Sequence, residues 1–147
     1  MNQQYVKAVE MLCLELGLEV PKDINEITSI KVGEQECHIT EHPAGRLLMF
    51  SRLSEITQEN AQIFLEVSMF SQEEKKPMVG LDSESNLAIL WNQQPLVQAE
   101  RHTLYQQLEL LSQYYDQIQS KLALSRPENS DVQDIKPGNF NPNLFLV

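Results

Sequence analysis

Cys37, His38 and His42 are the only soft metal ligands that cluster in the chain. A metal ion, or a thiolate–imidazole nucleophile pair, is the chemistry they could support. On an extended strand, however, Cys37 and His38 project to opposite faces, so they cannot share a metal unless the backbone turns there. A buried thiol beside a solvent-facing imidazole is the expected arrangement. Cys13 and His102 stand apart from this cluster, and the sequence marks out no base or orienting group for either. The adjacent carboxylates Glu73 and Glu74 fall in the charged stretch QEEKK, where a solvated loop accounts for them without catalysis. The chain has only 5 glycines, none in GxGxxG or GxxxxGK spacing, and it has no CxxC or HExxH. Both cysteines sit inside regular apolar patterns, so buried reduced thiols are expected rather than a disulfide. No catalytic, cofactor-binding or metal-binding residues are expected, and no cofactor.

The elements that would carry these residues can be read from spacing. Tyr5, Ala8, Val9, Leu12 and Leu16 recur at three- and four-residue steps, which predicts an amphipathic helix from about Asn2 to Leu16, ended by Gly17. Ile27 to Val32 and Glu36 to Thr40 read as two strands around the tight turn Gly33-Glu34. A second turn, His42-Pro43-Ala44-Gly45, leads into a third strand from Arg46 to Leu53. Thr57 is placed to cap a second helix, TQENAQIFLEVSMF, over 57–70. Met78 to Leu81 and Leu87 to Trp91 form a second hairpin, which Asn92-Gln93-Gln94 and Pro95 are expected to stop. Leu104, Leu108, Leu111, Tyr115, Ile118 and Leu122 then step by four and three along one long helix. Three strands in succession without helical crossovers favour hairpins, so the fold class is α+β, an α-β-β-β-α-β-β-α sandwich with an antiparallel sheet. Residues 1–124 are expected to form one domain. Residues 125–147, with Pro127, Pro137 and Pro142, are expected to form a mobile tail that ends in the apolar run Leu144-Phe145-Leu146-Val147.

Composition narrows the function classes. The 147 residues are 41% hydrophobic and 22% charged, ordinary for one globular domain. No apolar run approaches the ~18 residues of a membrane span, so no membrane insertion is expected. The formal net charge of −10 repels phosphate backbones and argues against nucleic acid. Apolar surface is in surplus. LLMF in the third strand and LAILW in the fifth are apolar on both faces, and the second helix carries Ile63, Phe64, Val67, Met69 and Phe70. The first and third helices can cover one face of the sheet, leaving the other for a second subunit or an extended peptide. A sheet curled on itself, with all of these residues internal, is the competing arrangement. Phe64, Leu65, Met69 and Trp91 are the candidate dimer contacts. Tyr5, Leu12, Ile30, Val32, Leu48 and Phe50 are the candidate groove lining for a bound segment.

The order of elements, the opening MLCLELGLEVP, the hairpin GLDSESNLAILWNQQPLV and the single long helix after it resemble the class I chaperones of type III secretion systems. These are the Tir-chaperone kind, and the likeness is strongest to those serving Yersinia effectors. It spans residues 1 to about 124. The resemblance implies a small bacterial cytoplasmic homodimer without ATPase activity. Such a dimer holds the N-terminal chaperone-binding segment of one or more secreted effectors in an extended form and presents it to the secretion apparatus, whose ATPase is a further implied partner. Strand addition and apolar grooves are the implied mode of recognition. Two other classes stay open: a regulatory protein of the same fold that sequesters an activator, and a small enzyme, which would need a polar pocket with perturbed acids or a metal.

Overall fold

A computed structural model describes residues 1–125. Helix α1 spans Gln3–Glu15. The Asn2 side chain caps it by accepting the Gln4 N–H at 2.9 Å. At its other end Leu18 N–H reaches the Cys13 carbonyl and Gly17 N–H reaches that of Leu14. This Schellman arrangement needs the positive φ of 69° that Gly17 adopts.

Five strands follow: β1 (Ile27–Val32), β2 (Gln35–Glu41), β3 (Arg46–Glu55), β4 (Met78–Asp82) and β5 (Leu87–Pro95). They form one antiparallel sheet in the order β1-β2-β3-β5-β4. Between β3 and β4 lies the short helix α2 (Ala61–Val67), and α3 (Arg101–Ser125) closes the described chain. The α+β antiparallel fold read from the sequence is the fold observed. The expected tail from Ser125 to Val147 lies outside the described residues, apart from Ser125 itself.

Two element boundaries differ most from expectation. Helix α2 begins at Ala61 rather than Thr57. The Thr57 and Asn60 side chains instead exchange hydrogen bonds with each other's backbone N–H, a closed turn that holds the chain out of the helix until Asn60. Strand β5 does not stop at Trp91 but runs through Asn92, Gln93 and Gln94 to Pro95. Those amides stay in the strand because Asn92 and Gln94 have partners under α3. Gln94 Nε2 donates to Gln107 Oε1 at 2.6 Å, and Asn92 Nδ2 donates to the carbonyls of Gln107 and Lys75. Gln107 Nε2 returns bonds to the Leu47 and Asn92 carbonyls. A fully buried amide on the apolar seam of α3 is thus satisfied by the sheet beneath it.

The core lies between that sheet and helices α1 and α3. Leu104, Leu108, Leu111, Ile118 and Leu122 of α3 pack there with Tyr5, Ala8, Val9 and Leu12 of α1. Burying each large aliphatic side chain contributes about 1.5–3 kcal/mol, so this layer is the main source of stability. Cys13 and Cys37 are buried in it as free thiols, and burial pushes the Cys37 thiol up to about 12. A thiol held protonated in this way is no nucleophile.

Candidate functional site

Cross-strand register decides which side chains face away from the helices, since residues directly opposite share a face. One row runs Ser29–His38–Phe50–Trp91–Met78 across all five strands. It lies on the face that α1 and α3 do not cover. Leu48 and Ile89 stand on the same face, in the alternation of β3 and β5 whose other members, Leu47, Met49, Ala88 and Leu90, are buried against the helices. Leu48, Phe50, Ile89 and Trp91, with Gln93 and the cis-linked pair His42-Pro43, line an open trough of about 380 Å³. Its walls are almost wholly apolar. Such a trough has the character to accommodate an extended apolar segment.

The residues predicted from sequence divide among four places. Leu48 and Phe50 line the trough. Tyr5 and Leu12 do not: both are buried in the helix layer and present no surface to a partner. The Tyr5 hydroxyl is spent internally, within 3.1 Å of the Asn25 and Ile39 carbonyls and the Thr28 hydroxyl. Thr28 must donate to it, because the single tyrosine proton goes to the carbonyls. Ile30 and Val32 lie opposite Cys37 and Gln35, on the helix-covered face, where they are half-buried against the core. They therefore share no surface with Leu48 and Phe50.

Of the candidate dimer contacts, Phe64 is the buried anchor of α2, whereas Leu65 and Met69 are exposed, at 73% and 58%. Phe70 beside them is 89% exposed. Trp91 stands apart from these residues, in the trough beside Phe50. The sequence reading missed Ile89, His42, Pro43 and Gln93 as lining. The alternation of β5 is the available signal, obscured in the sequence by the strand-breaking look of Asn92 to Gln94.

One end of the row is polar. Arg52 Nη1 lies 3.1 Å from His38 Nε2, and the Ser29 hydroxyl lies 2.7 Å from Nδ1. A guanidinium can only donate, so Nε2 accepts and the proton of a neutral imidazole sits on Nδ1, bonded to Ser29. Burial holds His38 below the ordinary histidine range and the Arg52 charge adds to the effect, while Glu36 opposes it. The imidazole stacks on Phe50 at 5.1 Å, and the Arg52 guanidinium sits 6.0 Å from the same ring. His38 and Cys37 face opposite ways, as strand geometry requires. Among the described residues no three potential ligands gather as a metal site, and no helix is long and apolar enough to cross a membrane.

With this geometry in hand, the chain can be set beside known proteins. The model of the Tir chaperone protein (CesT) family matches residues 7–119. The chain is similar to the YopE regulator of Yersinia pestis, 36% identical over 125 residues that cover 85% of this chain and 96% of the relative. Among solved structures it is similar to a chain of the ExoT–SpcS complex from Pseudomonas aeruginosa, with a TM-score of 0.72 and 39% identity over 80% of this chain and 98% of that one. The HopA1–SchA chaperone–effector complex shares the fold, with a TM-score of 0.68 at 16% identity over 80% of this chain and 94% of that one.

Proposed function

This chain belongs to the Tir chaperone protein (CesT) family, and on that premise we propose that it binds the extended N-terminal segment of a type III secreted effector and keeps it soluble for export, without hydrolysing ATP. The family and its structural neighbours are chaperones rather than enzymes. Two of the structural neighbours come from complexes with ExoT and HopA1, which supports an effector as the partner. The observation that carries the reading is the uncovered trough of Leu48, Phe50, Ile89 and Trp91. An exposed apolar face of this kind is the usual mark of an interaction site. Beyond it, the outer edge of β1 is free of strand partners among the described residues and can add a cargo strand.

The same reading includes a bacterial cytoplasmic homodimer. Leu65, Met69 and Phe70 on and after α2 would meet their counterparts across a two-fold axis, and Met78 and Leu81 on edge strand β4 extend the exposed apolar surface. One observation favours a second reading, sequestration of a regulator: the Yersinia relative is itself called a regulator.

The test is capture from the native cytosol by the full chain and by Phe50→Asp, with mass spectrometry of what co-purifies. The wild-type protein should retain a secreted protein, and Phe50→Asp should lose it while keeping its circular dichroism melt. Capture of a transcriptional or secretion regulator, with no effector, would favour the second reading. A wild-type protein that retains neither would remove both.

A further inference from the structure

Strand β3 turns Arg46, Leu48, Phe50 and Arg52 to the open face, in alternation with Leu47, Met49 and Ser51, which are buried. Along the strand that face therefore reads cation, apolar, apolar, cation. Arg46 lies opposite Pro95 and Arg52 opposite Ile89, so the two arginines bracket the trough lengthwise. Six residues of strand set their backbones about 20 Å apart. The chain carries 21 acidic side chains, yet among the described residues neither arginine pairs with one. Arg101, by contrast, pairs with Glu15 at 2.9 Å. We propose, on the reading that the trough is the cargo site, that it selects an extended segment of defined pattern. Two apolar side chains of the segment face the trough, and a carboxylate beyond each of them meets Arg46 or Arg52.

Both guanidiniums are held in place with donors to spare. Arg46 Nε donates to Gln93 Oε1 at 2.9 Å, and Arg52 Nη1 donates to His38 Nε2 at 3.1 Å. Both Nη groups of Arg46, and Nε and Nη2 of Arg52, have no acceptor among the described residues. Such a fork takes a carboxylate through two parallel bonds. The acids close by do not compete for it. Glu41 accepts from Asn2 Nδ2 and from the Gly45 N–H. Glu36 stands 3.9 Å from His38 Nε2 and offsets part of the Arg52 charge without bonding it. The spacing also suits an extended chain, which puts every second side chain on one face. A segment laid along β3 as acid-x-apolar-x-apolar-x-acid matches the four positions, and the match holds in either direction. Covering Leu48 and Phe50 would also keep water from the arginines, which strengthens the ion pairs. Basic side chains in the same places would be repelled.

Trp91 is the only tryptophan and lines the trough, so its emission reports occupancy. The probes are capped peptides of that pattern, with leucine at the apolar places and threonine between. One has aspartate at the acid places, one asparagine and one lysine. Titrated into the full chain at low salt, the aspartate peptide should bind about fivefold to tenfold more tightly than the asparagine peptide. The lysine peptide should bind more weakly than either, and the aspartate advantage should shrink in about 1 M salt. The double variant Arg46→Glu/Arg52→Glu, checked by its circular dichroism melt, should prefer the lysine peptide to the aspartate one. Aspartate and asparagine peptides that bind the wild-type protein equally, in a manner Phe50→Asp abolishes, would overturn the proposal and leave the trough reading standing. Unchanged Trp91 emission with every peptide at millimolar concentration would overturn it as well. Capture from the cytosol by the wild-type but not the Phe50→Asp protein would then decide the trough reading by itself.

Discussion

Met49 points into the helix layer and is fully buried, while Phe50, one residue on, lines the open trough. On the proposed function, the pair therefore separates folding from binding. Met49→Asp places an unpaired charge in the core and should cost about 3–5 kcal/mol in urea denaturation. Phe50→Asp, on the half-exposed face, should cost about 1 kcal/mol or less. The sequence showed that both positions are apolar but not which one faces outward. Tyr5, Leu12, Ile30 and Val32 could not be sorted from Leu48 and Phe50 for the same reason. Ile30 stands opposite Cys37 in the expected hairpin, but which face of that hairpin α1 and α3 cover is a long-range fact that local alternation does not contain. His38 adds a pH dependence at this scale. Its pKa is lowered in the folded chain, so the unfolded chain binds more protons below about pH 6.5. Its contribution to stability is complete above about pH 6.5 and is lost as pH falls toward the lowered folded value. Denaturation midpoints at pH 7.5 and 5.5 should therefore differ more for the wild-type protein than for His38→Gln.

At the scale of elements, the strands and long helices were legible because their patterns are strong. The α3 seam of Leu104, Leu108, Leu111, Ile118 and Leu122 is buried as its spacing required. The hairpin at Gly33-Glu34 forms between the expected strands, with Gly33 at a positive φ of 62°. The weaker elements depart from their sequence patterns where side-chain hydrogen bonds override propensity. Thr57 looks like a helix cap and instead closes a turn with Asn60. Asn92 and Gln94 look like strand breakers, but Gln107, 13–15 residues further along on α3, accepts hydrogen bonds from both side-chain amides. The shortening of α2 to Ala61–Val67 bears on assembly, because a two-turn helix leaves Leu65 on its surface and Met69 and Phe70 just past its end. If these residues form the dimer contact, Leu65→Asp should convert a dimer to a monomer in sedimentation equilibrium at micromolar concentration. The buried anchor Phe64 should instead be needed for folding, and Phe64→Ala should cost about 3–5 kcal/mol. A Leu65→Asp protein that stays dimeric would move the interface elsewhere.

For the whole molecule, division of labour between the two sheet faces explains how so short a chain uses so much apolar surface. Helices α1 and α3 cover one face and make the core; the other carries the trough, framed by arginines on an otherwise acidic protein. That local charge was not visible in the total of −10, because only the pleat of β3 puts Arg46 and Arg52 on the same face. The surplus of LLMF and LAILW, by contrast, was visible from the start, and it marks the face on which the functional reading depends. The most direct measurement of that reading is photo-crosslinking in the native cytosol, with benzoylphenylalanine in place of Phe50 in the trough and, separately, in place of the exposed Glu109 on α3. The account predicts a crosslink from position 50 to the N-terminal part of a secreted protein and none from position 109. Crosslinks from position 109 to that protein, with none from position 50, would contradict it.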